Sequence, residues 1–285
     1  MATVGFSERI YLQYLRTKFK TISKLAPATA GRMAFDLFCT PYPKYKKRKA
    51  PAIFHQALKR TVVLSDQTKL HGFEWLPNKP NDQTVLIAHG YASYAYKFEH
   101  YIAPLLKMGY RVLAFDAPAH GKSKGNSSIM TEFIASILEI DKQYGPFEFA
   151  IGHSLGGMSV LNAIKQNLQV KKAVIIGSGD IIQDIIDDFI GKLKLKPEYG
   201  VKLKDHFEAK FGGKMNDYSA YKAAEKTEIP VLIVHDKDDD DVSVKAAYHI
   251  QKHLKNSEIM ITEGLGHRKI LGDDNVTQKI IEFIK

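Results

Sequence analysis

The chain of 285 residues is 45% hydrophobic, 11% aromatic and 25% charged, which is typical of a globular protein with a large core. Cys39 is the only cysteine, so an internal disulfide is excluded and a reducing compartment is favoured. No apolar run approaches the roughly 18–20 residues of a membrane span, and Arg and Lys interrupt the apolar positions near the N-terminus. We therefore expect neither a transmembrane helix nor a secretory signal, and predict a cytoplasmic protein.

The net charge of +10 is concentrated at the N-terminus. Residues 1–60 hold thirteen Lys and Arg and two acids, a net charge of +11, which leaves −1 for residues 61–285. No zinc-finger, RRM or helix-turn-helix pattern accompanies this excess, so a nucleic-acid partner is not expected. We predict that residues 1–58 are a basic N-terminal extension and that residues 59–285 form the folded domain.

One amphipathic pattern in the extension predicts a helix over Ile10–Leu25. Its apolar members approximate helical spacing: Ile10, Tyr14, Phe19, Ile22 and Leu25. Packing of this stripe against the rest of the protein is the favoured interpretation. Peripheral attachment of residues 1–50 to an anionic membrane, helped by the basic run at 44–49, is the alternative. An organellar transit peptide is a third interpretation.

From residue 59 onward, short apolar runs alternate with stretches of helical periodicity. The predicted strands are Arg60–Ser65, Lys69–Leu76, Thr84–Ala88, Arg111–Phe115, Phe147–Ile151, Lys172–Ile176, Pro230–His235 and Glu258–Thr262. The predicted helices are Tyr96–Met108, Thr131–Tyr144, Leu155–Gln166, Ser243–Leu254 and Asp273–Ile284. Continuous apolar runs are typical of strands covered on both faces, so the pattern predicts a mostly parallel, doubly wound α/β sheet.

Residues 178–228 interrupt this alternation. They separate two strands by about fifty positions, which is too long for a simple crossover. The segment contains helical stretches at 180–190 and 205–211 and the pliable sequence Phe211-Gly212-Gly213. We expect an inserted helical cap over the active site, with its apolar face toward the pocket; two further packing helices are the alternative.

The strongest chemical signal is Gly152-His153-Ser154-Leu155-Gly156, which has the pattern G-x-S-x-G. It directly follows the strand FEFAI and directly precedes a helical stretch, which is the context of a nucleophile elbow. A sharp turn of this kind presents the Ser154 hydroxyl to a base, and it requires small residues at 152 and 156. The amides at the start of the next helix favour developing negative charge.

Together with four further motifs in the same order, this elbow resembles the α/β-hydrolase superfamily from residue 61 to residue 285. The further motifs are Ala88-His89-Gly90-Tyr91, Asp116 to Ser123, His235 to Val242 and Gly264-Leu265-Gly266-His267. They resemble the oxyanion loop, the D-x-x-G-H-G-x-S loop, the H-G-x-x-D-x-x-V acid loop and the loop of the catalytic histidine. Two positions depart from the pattern, since Ala119 and Asp236 stand where the family has glycine.

The resemblance and elimination both indicate His267 as the general base. His89, His153 and His235 belong to motifs at strand ends. His249 and His253 share a helix and are expected to face solvent, and their i, i+4 spacing lacks an evident third metal ligand. The resemblance further implies an oxyanion hole formed by the backbone N–H groups of Tyr91 and Leu155.

Four adjacent carboxylates, Asp238 to Asp241, are candidates for the acid that orients the base. Aligning His235 with the first residue of the family's acid loop gives Asp239. Asp238 is the alternative if Asp236 shifts the loop by one residue, and Asp180 is a more distant one. The expected catalytic triad is Ser154, Asp239 and His267.

These features predict a serine hydrolase that cleaves carboxylic esters of a small or medium acyl group through an acyl-enzyme on Ser154. A thioesterase, lysophospholipase or C–C bond hydrolase with the same triad is the alternative, as is a non-catalytic binding module with this fold. No metal and no organic cofactor is implied. The only partner expected with this activity is a small-molecule ester.

Overall fold

The computed structural model describes residues 6–41 and 49–285, so residues 44–48 of the basic run lie outside the described part. Contacts between residues divide the chain into two compact units. The helical unit comprises Met1–Thr40 and Ile181–Ser219, and the sheet unit comprises Pro41–Asp180 and Ala220–Lys285. The N-terminal extension and the inserted segment, which are distant in sequence, therefore share a unit.

The sheet unit is built on one sheet of eight strands. They are β1 (Leu58–Val63), β2 (Lys69–Trp75), β3 (Thr84–Ala88), β4 (Arg111–Phe115), β5 (Phe149–His153), β6 (Lys172–Ile176), β7 (Val231–Asp236) and β8 (Ser257–Thr262). The order is β1-β2-β4-β3-β5-β6-β7-β8; β2 runs antiparallel to both of its neighbours, and the remaining pairs are parallel. The predicted α/β fold and mostly parallel sheet are confirmed.

The described helices are numbered in chain order. They are α1 (Phe6–Leu25), α2 (Pro27–Phe38), α3 (Glu99–Lys107), α4 (Met130–Tyr144), α5 (Leu155–Lys165), α6 (Ile182–Lys192), α7 (Glu198–Phe211), α8 (Ala220–Ala224), α9 (Lys245–His253), α10 (Gly266–Lys269) and α11 (Asp274–Ile284). In the sheet unit α3 packs with α11, whereas α5 packs with α4 and α8. The inner strands β3 and β7 are buried at every position, and β6 is buried at every position after its first residue, as expected for strands covered on both faces.

The strand order positions the loops that carry the sequence motifs. β3 lies between β4 and β5, so the chain leaves β3 toward one edge of the sheet and later returns to its other side. Connections diverge at this point, which is where ligands bind in open α/β sheets. Since β5, β6, β7 and β8 are successive neighbours and parallel, the loops that follow them lie side by side at the same end of the sheet.

In the helical unit, α1 and α2 pack with the helices of the inserted segment. Phe19 of α1 is buried and its ring contacts Tyr199 of α7, with ring centroids 6.4 Å apart. The Arg16 guanidinium donates hydrogen bonds to the carbonyls of Leu193 and Lys192 at the end of α6, at 3.3 and 3.1 Å, and so satisfies groups that the helix leaves unpaired. The N-terminal helix therefore packs within the protein, as the favoured interpretation holds.

The prediction of which apolar residues of α1 are covered is correct only in part. Phe19 is buried, but Ile10 and Tyr14 are each 56% exposed and Leu25 is 80% exposed. Leu15, one turn before Phe19, is buried in their place. Approximate helical spacing defines a broad sector of the helix, and only the neighbouring helices decide which part of that sector is covered. None of the helices in the described residues is both long and apolar enough to cross a membrane.

Glycines allow α7 to pack closely against α2 and α6. A side chain at Gly31 of α2 would place its Cβ 3.0 Å from Cβ of Lys202, so glycine permits the close approach of α2 and α7. At Gly200 of α7 an added Cβ would lie 3.1 Å from Ile186 of α6 and 3.6 Å from Ile190. The apolar face of α6 thus packs against α7, and its expected coverage of the active site stays a prediction.

Candidate active site

Ser154 lies at the sharp turn between β5 and α5. Its backbone has φ +53° and ψ −122°, a conformation that residues other than glycine rarely adopt. An added Cβ at Gly152 would lie 2.5 Å from the carbonyl oxygen of Gly156, and one at Gly156 would lie 2.5 Å from the carbonyl oxygen of His89. The two glycines of the motif are therefore required by close backbone contacts, and the strained turn presents the serine at the N-terminus of α5.

The loop after β3 lies against this turn. A Cβ at Gly90 would be 2.8 Å from Cβ of Ser154 and 3.1 Å from the carbonyl oxygen of His153, so only glycine lets the loop approach the elbow. This contact brings the Gly90–Tyr91 segment next to Ser154, where the resemblance expects an oxyanion-hole amide from Tyr91. The Tyr91 ring packs edge-on against His120, with centroids 5.2 Å apart.

Two buried imidazoles shape the same loop. His89 accepts a hydrogen bond from the amide of Ala117 at Nε2, 2.9 Å, and its Nδ1 donates to the carbonyl of Gly90, 2.7 Å. His120 accepts from the amide of Ala92 at Nε2, 2.9 Å. Burial lowers the pKa of His89 to about 3 and that of His120 to about 4, so both rings are neutral at pH 7. The two neutral rings therefore hold the backbone of this loop in place through their hydrogen bonds.

His267 and Asp239 form a hydrogen-bonded pair. His267, in the short helix α10 after β8, donates from Nδ1 to Oδ2 of Asp239 over 2.7 Å. Oδ1 of Asp239 accepts from the amides of Asp241 and Val242, both at 2.8 Å. The Asp239 side chain is 1% exposed and the His267 side chain 10%. Every oxygen of the carboxylate is thus occupied, which fixes the ring and its tautomer.

The electrostatics of Asp239 keep it ionised. Burial alone raises the pKa of this carboxyl, but the hydrogen bond and the charge of His267, together with the amides of Val242 and Asp241, outweigh burial and lower it below the ordinary value. His235, the first residue of the acid loop, has its Nε2 3.5 Å from Oδ2 of Asp239 and donates from it to the carbonyl of Val242, 2.9 Å away. Burial lowers the pKa of His235, so its ring is neutral.

The other candidate acids are engaged elsewhere. Asp238 accepts from the amide of Gly264 at 2.9 Å, and Asp241 forms an ion pair with Arg268 at 3.1 Å. Asp180 accepts from the amide of Tyr221 and from Nδ1 of His249. The sequence analysis expected His249 to face solvent, whereas the structure pairs its Nδ1 with the Asp180 carboxylate. Of the acids considered, the structure brings Asp239 to His267.

Ser154 and His267 converge on the end of β6. The amide of Ser154 donates to the carbonyl of Ile176 at 2.9 Å. The next residue, Gly177, has φ +53°, and an added Cβ there would lie 3.3 Å from Nδ1 of His267 and 3.5 Å from Oδ2 of Asp239. Gly177 thus leaves room for the acid–base pair beside the serine. The sequence analysis missed this residue, and its only signal is a glycine directly after the strand KAVII.

His153 is a second residue that the sequence analysis used only as part of a motif. It precedes Ser154, is buried, and donates from Nε2 to the carbonyl oxygen of His267 at 2.9 Å. Burial, and then the proximity of His267, lower the pKa of His153 to about 3. The neutral ring thus ties the elbow to the backbone of the histidine loop. Among the described residues, no group of three or more His, Cys, Asp or Glu could hold a metal ion.

Comparisons with known proteins agree with this fold. Residues 79–194 match the family described as serine aminopeptidase, S33. A non-heme haloperoxidase of Rhodococcus erythropolis is 23% identical over 79% of this chain and 98% of its own length. A 2-hydroxy-6-oxononadienedioate/2-hydroxy-6-oxononatrienedioate hydrolase of Escherichia coli K12 is 35% identical over 106 residues, 34% of this chain and 37% of that protein.

Solved structures with this architecture include two esterases. The esterase EaEST of Exiguobacterium antarcticum superposes with a TM-score of 0.63 at 18% identity, covering 80% of this chain and 99% of that one. The esterase Pf2001 of Pyrococcus furiosus gives a TM-score of 0.64 at 21% identity, covering 86% and 95%. These structures share the architecture described above: the chain has the α/β-hydrolase fold, with an eight-stranded, mostly parallel sheet.

Proposed function

We propose that the protein is a serine hydrolase that cleaves carboxylic esters of small or medium acyl groups. The observation that carries the proposal is the combination of a strained Ser154 at the start of α5 with a hydrogen-bonded Asp239–His267 pair beside it, in which the Asp239 side chain is buried. A serine hydroxyl is a weak nucleophile until a base removes its proton, and a strained turn with an oriented imidazole is the arrangement that activates it.

In the proposed reaction, Oγ of Ser154 attacks the ester carbonyl while Nε2 of His267 takes its proton. Asp239 holds Nδ1–H and stabilises the imidazolium that forms. The amides of Leu155 and Tyr91 are proposed to donate to the oxyanion, helped by the dipole of α5. His267 then protonates the departing alcohol, and water activated by the same imidazole hydrolyses the acyl-enzyme.

An ester is the preferred substrate class because this apparatus needs nothing further to cleave it. The second candidate is hydrolysis of a C–C bond, which the name of the E. coli relative describes for that protein, over a third of the present chain. Thioesters and lysophospholipids use the same acyl-enzyme chemistry. A non-catalytic binding module is the contrasting class of protein. In such a module Ser154 would be unreactive, whereas in each of the hydrolases it reacts.

A fluorophosphonate probe distinguishes these classes. We expect covalent labelling of the wild-type protein that is lost in Ser154→Ala, whereas a non-catalytic module remains unlabelled in both. Initial rates on p-nitrophenyl esters of increasing chain length, acyl-CoA thioesters, a lysophospholipid and a vinylogous 1,5-diketone then define the substrate class. Labelling of wild type without turnover of any ester contradicts the ester assignment and leaves the activated serine in place.

A further inference from the structure

Asp236, the last residue of β7, stands where the acid loop of the superfamily has glycine. It is completely buried. Replacement of a glycine by a buried carboxylate is costly unless hydrogen bonds compensate for the lost hydration. The contacts of Asp236 therefore indicate what this chain gains from the change.

The Asp236 carboxylate accepts hydrogen bonds from two different loops. Oδ2 accepts from the hydroxyl of Thr262, the last residue of β8, at 2.7 Å and from the amide of Leu265, in the loop that leads to the histidine, at 3.1 Å. Oδ1 accepts from the amide of Asp238 at 3.0 Å, in the acid loop. One buried side chain thus joins the loop of the triad acid to the loop of the base.

These anchor points are adjacent to the pair that they serve. Asp238 immediately precedes Asp239, and Leu265 stands two residues before His267. The histidine loop has two glycines with positive φ, Gly264 at +77° and Gly266 at +61°. Glycine leaves a backbone conformationally free, so a loop of this composition needs contacts from outside itself to hold one geometry.

The charge state of Asp236 suits this role. Burial on its own raises the pKa of the carboxyl, but hydrogen bonds from the Thr262 hydroxyl and from backbone amides of both loops outweigh it and lower the pKa. Asp236 is therefore an ionised acceptor at neutral pH, and hydrogen bonds to an ionised acceptor are shorter and roughly twice as strong as neutral ones.

We propose that Asp236 is a positioning residue that sets the distance and angle between Asp239 and His267 by clamping the acid loop to the histidine loop. It does not touch the substrate, and it acts through the pair. The proposal rests on the serine hydrolase function proposed above. The contrasting interpretation is a purely structural link between β7 and β8 that stabilises the fold and leaves the geometry of the pair unchanged.

Four variants separate these interpretations. Asp236→Asn removes the charge and one acceptor face, and Asp236→Gly restores the residue of the superfamily pattern. Thr262→Val removes one donor of the clamp, whereas Thr262→Ser keeps its hydroxyl. Asp240→Asn is the matched control, because Asp240 is an exposed acid of the same loop.

Steady-state kinetics on a p-nitrophenyl ester, with the enzyme counted by fluorophosphonate titration, give the first readout. A displacement of about 1 Å in a catalytic group costs on the order of 10²-fold in rate. We expect kcat to fall roughly 10- to 100-fold in Asp236→Asn and Asp236→Gly with KM nearly unchanged. Thr262→Val should lose several-fold and Thr262→Ser should recover it, while Asp240→Asn should match wild type.

The second readout does not depend on activity. The proton on Nδ1 of His267, held by Asp239, should give a resolved low-field NMR signal in the wild-type protein that is broadened or shifted in Asp236→Asn and Thr262→Val and preserved in Thr262→Ser. Lower thermal stability with unchanged kcat and an unchanged signal overturns the proposal in favour of a structural link. If Asp236→Asn does not fold, the Thr262 pair decides the outcome.

The two proposals fail in different ways. A wild-type protein that neither reacts with the fluorophosphonate nor hydrolyses any ester contradicts the serine hydrolase function, and the NMR signal of His267 still tests the clamp. Conversely, normal ester turnover with a signal that is indifferent to Asp236 and Thr262 overturns the clamp and leaves the hydrolase function intact.

Discussion

Asp239→Asn is the substitution that tests the site most directly, because the structure dictates how the new amide must sit. In the wild type, Oδ1 accepts from the amides of Asp241 and Val242 at 2.8 Å, and Oδ2 accepts from Nδ1 of His267 at 2.7 Å. If the Asn oxygen keeps the two backbone amides, its NH₂ group must face His267. The ring then has to accept at Nδ1, so it carries its proton on Nε2 and cannot act as a base toward Ser154.

The opposite orientation of the amide is less favourable. It would turn the NH₂ group toward two backbone donors and leave both unsatisfied, at about 1–3 kcal/mol each. The variant is therefore expected to fold with the wrong histidine tautomer. In the serine protease template, the same change lowers kcat about 10⁴-fold, which corresponds to about 5.4 kcal/mol of transition-state stabilisation.

The assay is kcat on a short-chain p-nitrophenyl ester, with circular dichroism to confirm folding. Asp238→Asn is the matched control: its carboxylate accepts from the amide of Gly264 at 2.9 Å, and an amide oxygen can accept the same bond. We expect this control to stay within about three-fold of wild type, since a single exposed hydrogen bond contributes little. Retention of more than a tenth of wild-type turnover by Asp239→Asn, or an equal loss in Asp238→Asn, refutes the assignment of the acid.

Three further predictions follow from other parts of the structure. Gly177→Ala should lower kcat about ten-fold, because it adds a methyl group 3.3 Å from Nδ1 of His267 at a residue with φ +53°. Gly264→Ala is the control: its φ is +77°, but the space around it is open, so it should lower only the stability of the protein. Equal effects of the two substitutions on kcat would contradict the steric argument. Phe19→Ala, which removes a buried ring, should destabilise the helical unit by about 3–5 kcal/mol in thermal unfolding, whereas Tyr14→Ala at an exposed position should have little effect. Acidification should destabilise the protein between about pH 6.5 and pH 4. The unfolded chain protonates the imidazoles of His89, His120 and His153, which stay neutral in the folded protein, whereas the Asp116 carboxyl, whose pKa is raised to about 6, has the opposite effect. The net uptake of about two protons on unfolding gives a slope of roughly 2–3 kcal/mol per pH unit; the free energy of unfolding at pH 7, 6 and 5 measures this slope, and a flat profile would contradict it.

The sequence by itself determined the sheet and the position of the elbow. After their first residue, TVLIA and KAVII each have four consecutive apolar residues and no polar face, which is typical of a short strand covered on both sides. The elbow could also be predicted from the sequence, because a sharp strand-to-helix turn requires small residues at 152 and 156 whatever packs around the turn. These are local constraints, so they can be read without knowing what packs against them.

The tertiary structure decided the choices that depend on partners distant in sequence. Four consecutive aspartates are chemically equivalent until hydrogen bonds from the histidine loop select Asp239 for His267 and Asp238 for Gly264. Likewise, Gly177 gains its meaning only from the imidazole beside it. The helix α2 was not predicted. Gly31 in its interior weakens the helical pattern, and it becomes an advantage only because a Cβ added there would lie 3.0 Å from Cβ of Lys202 in α7. Side-chain burial and loop register are settled by contacts between segments far apart along the chain, and the periodicity of a single segment does not contain them.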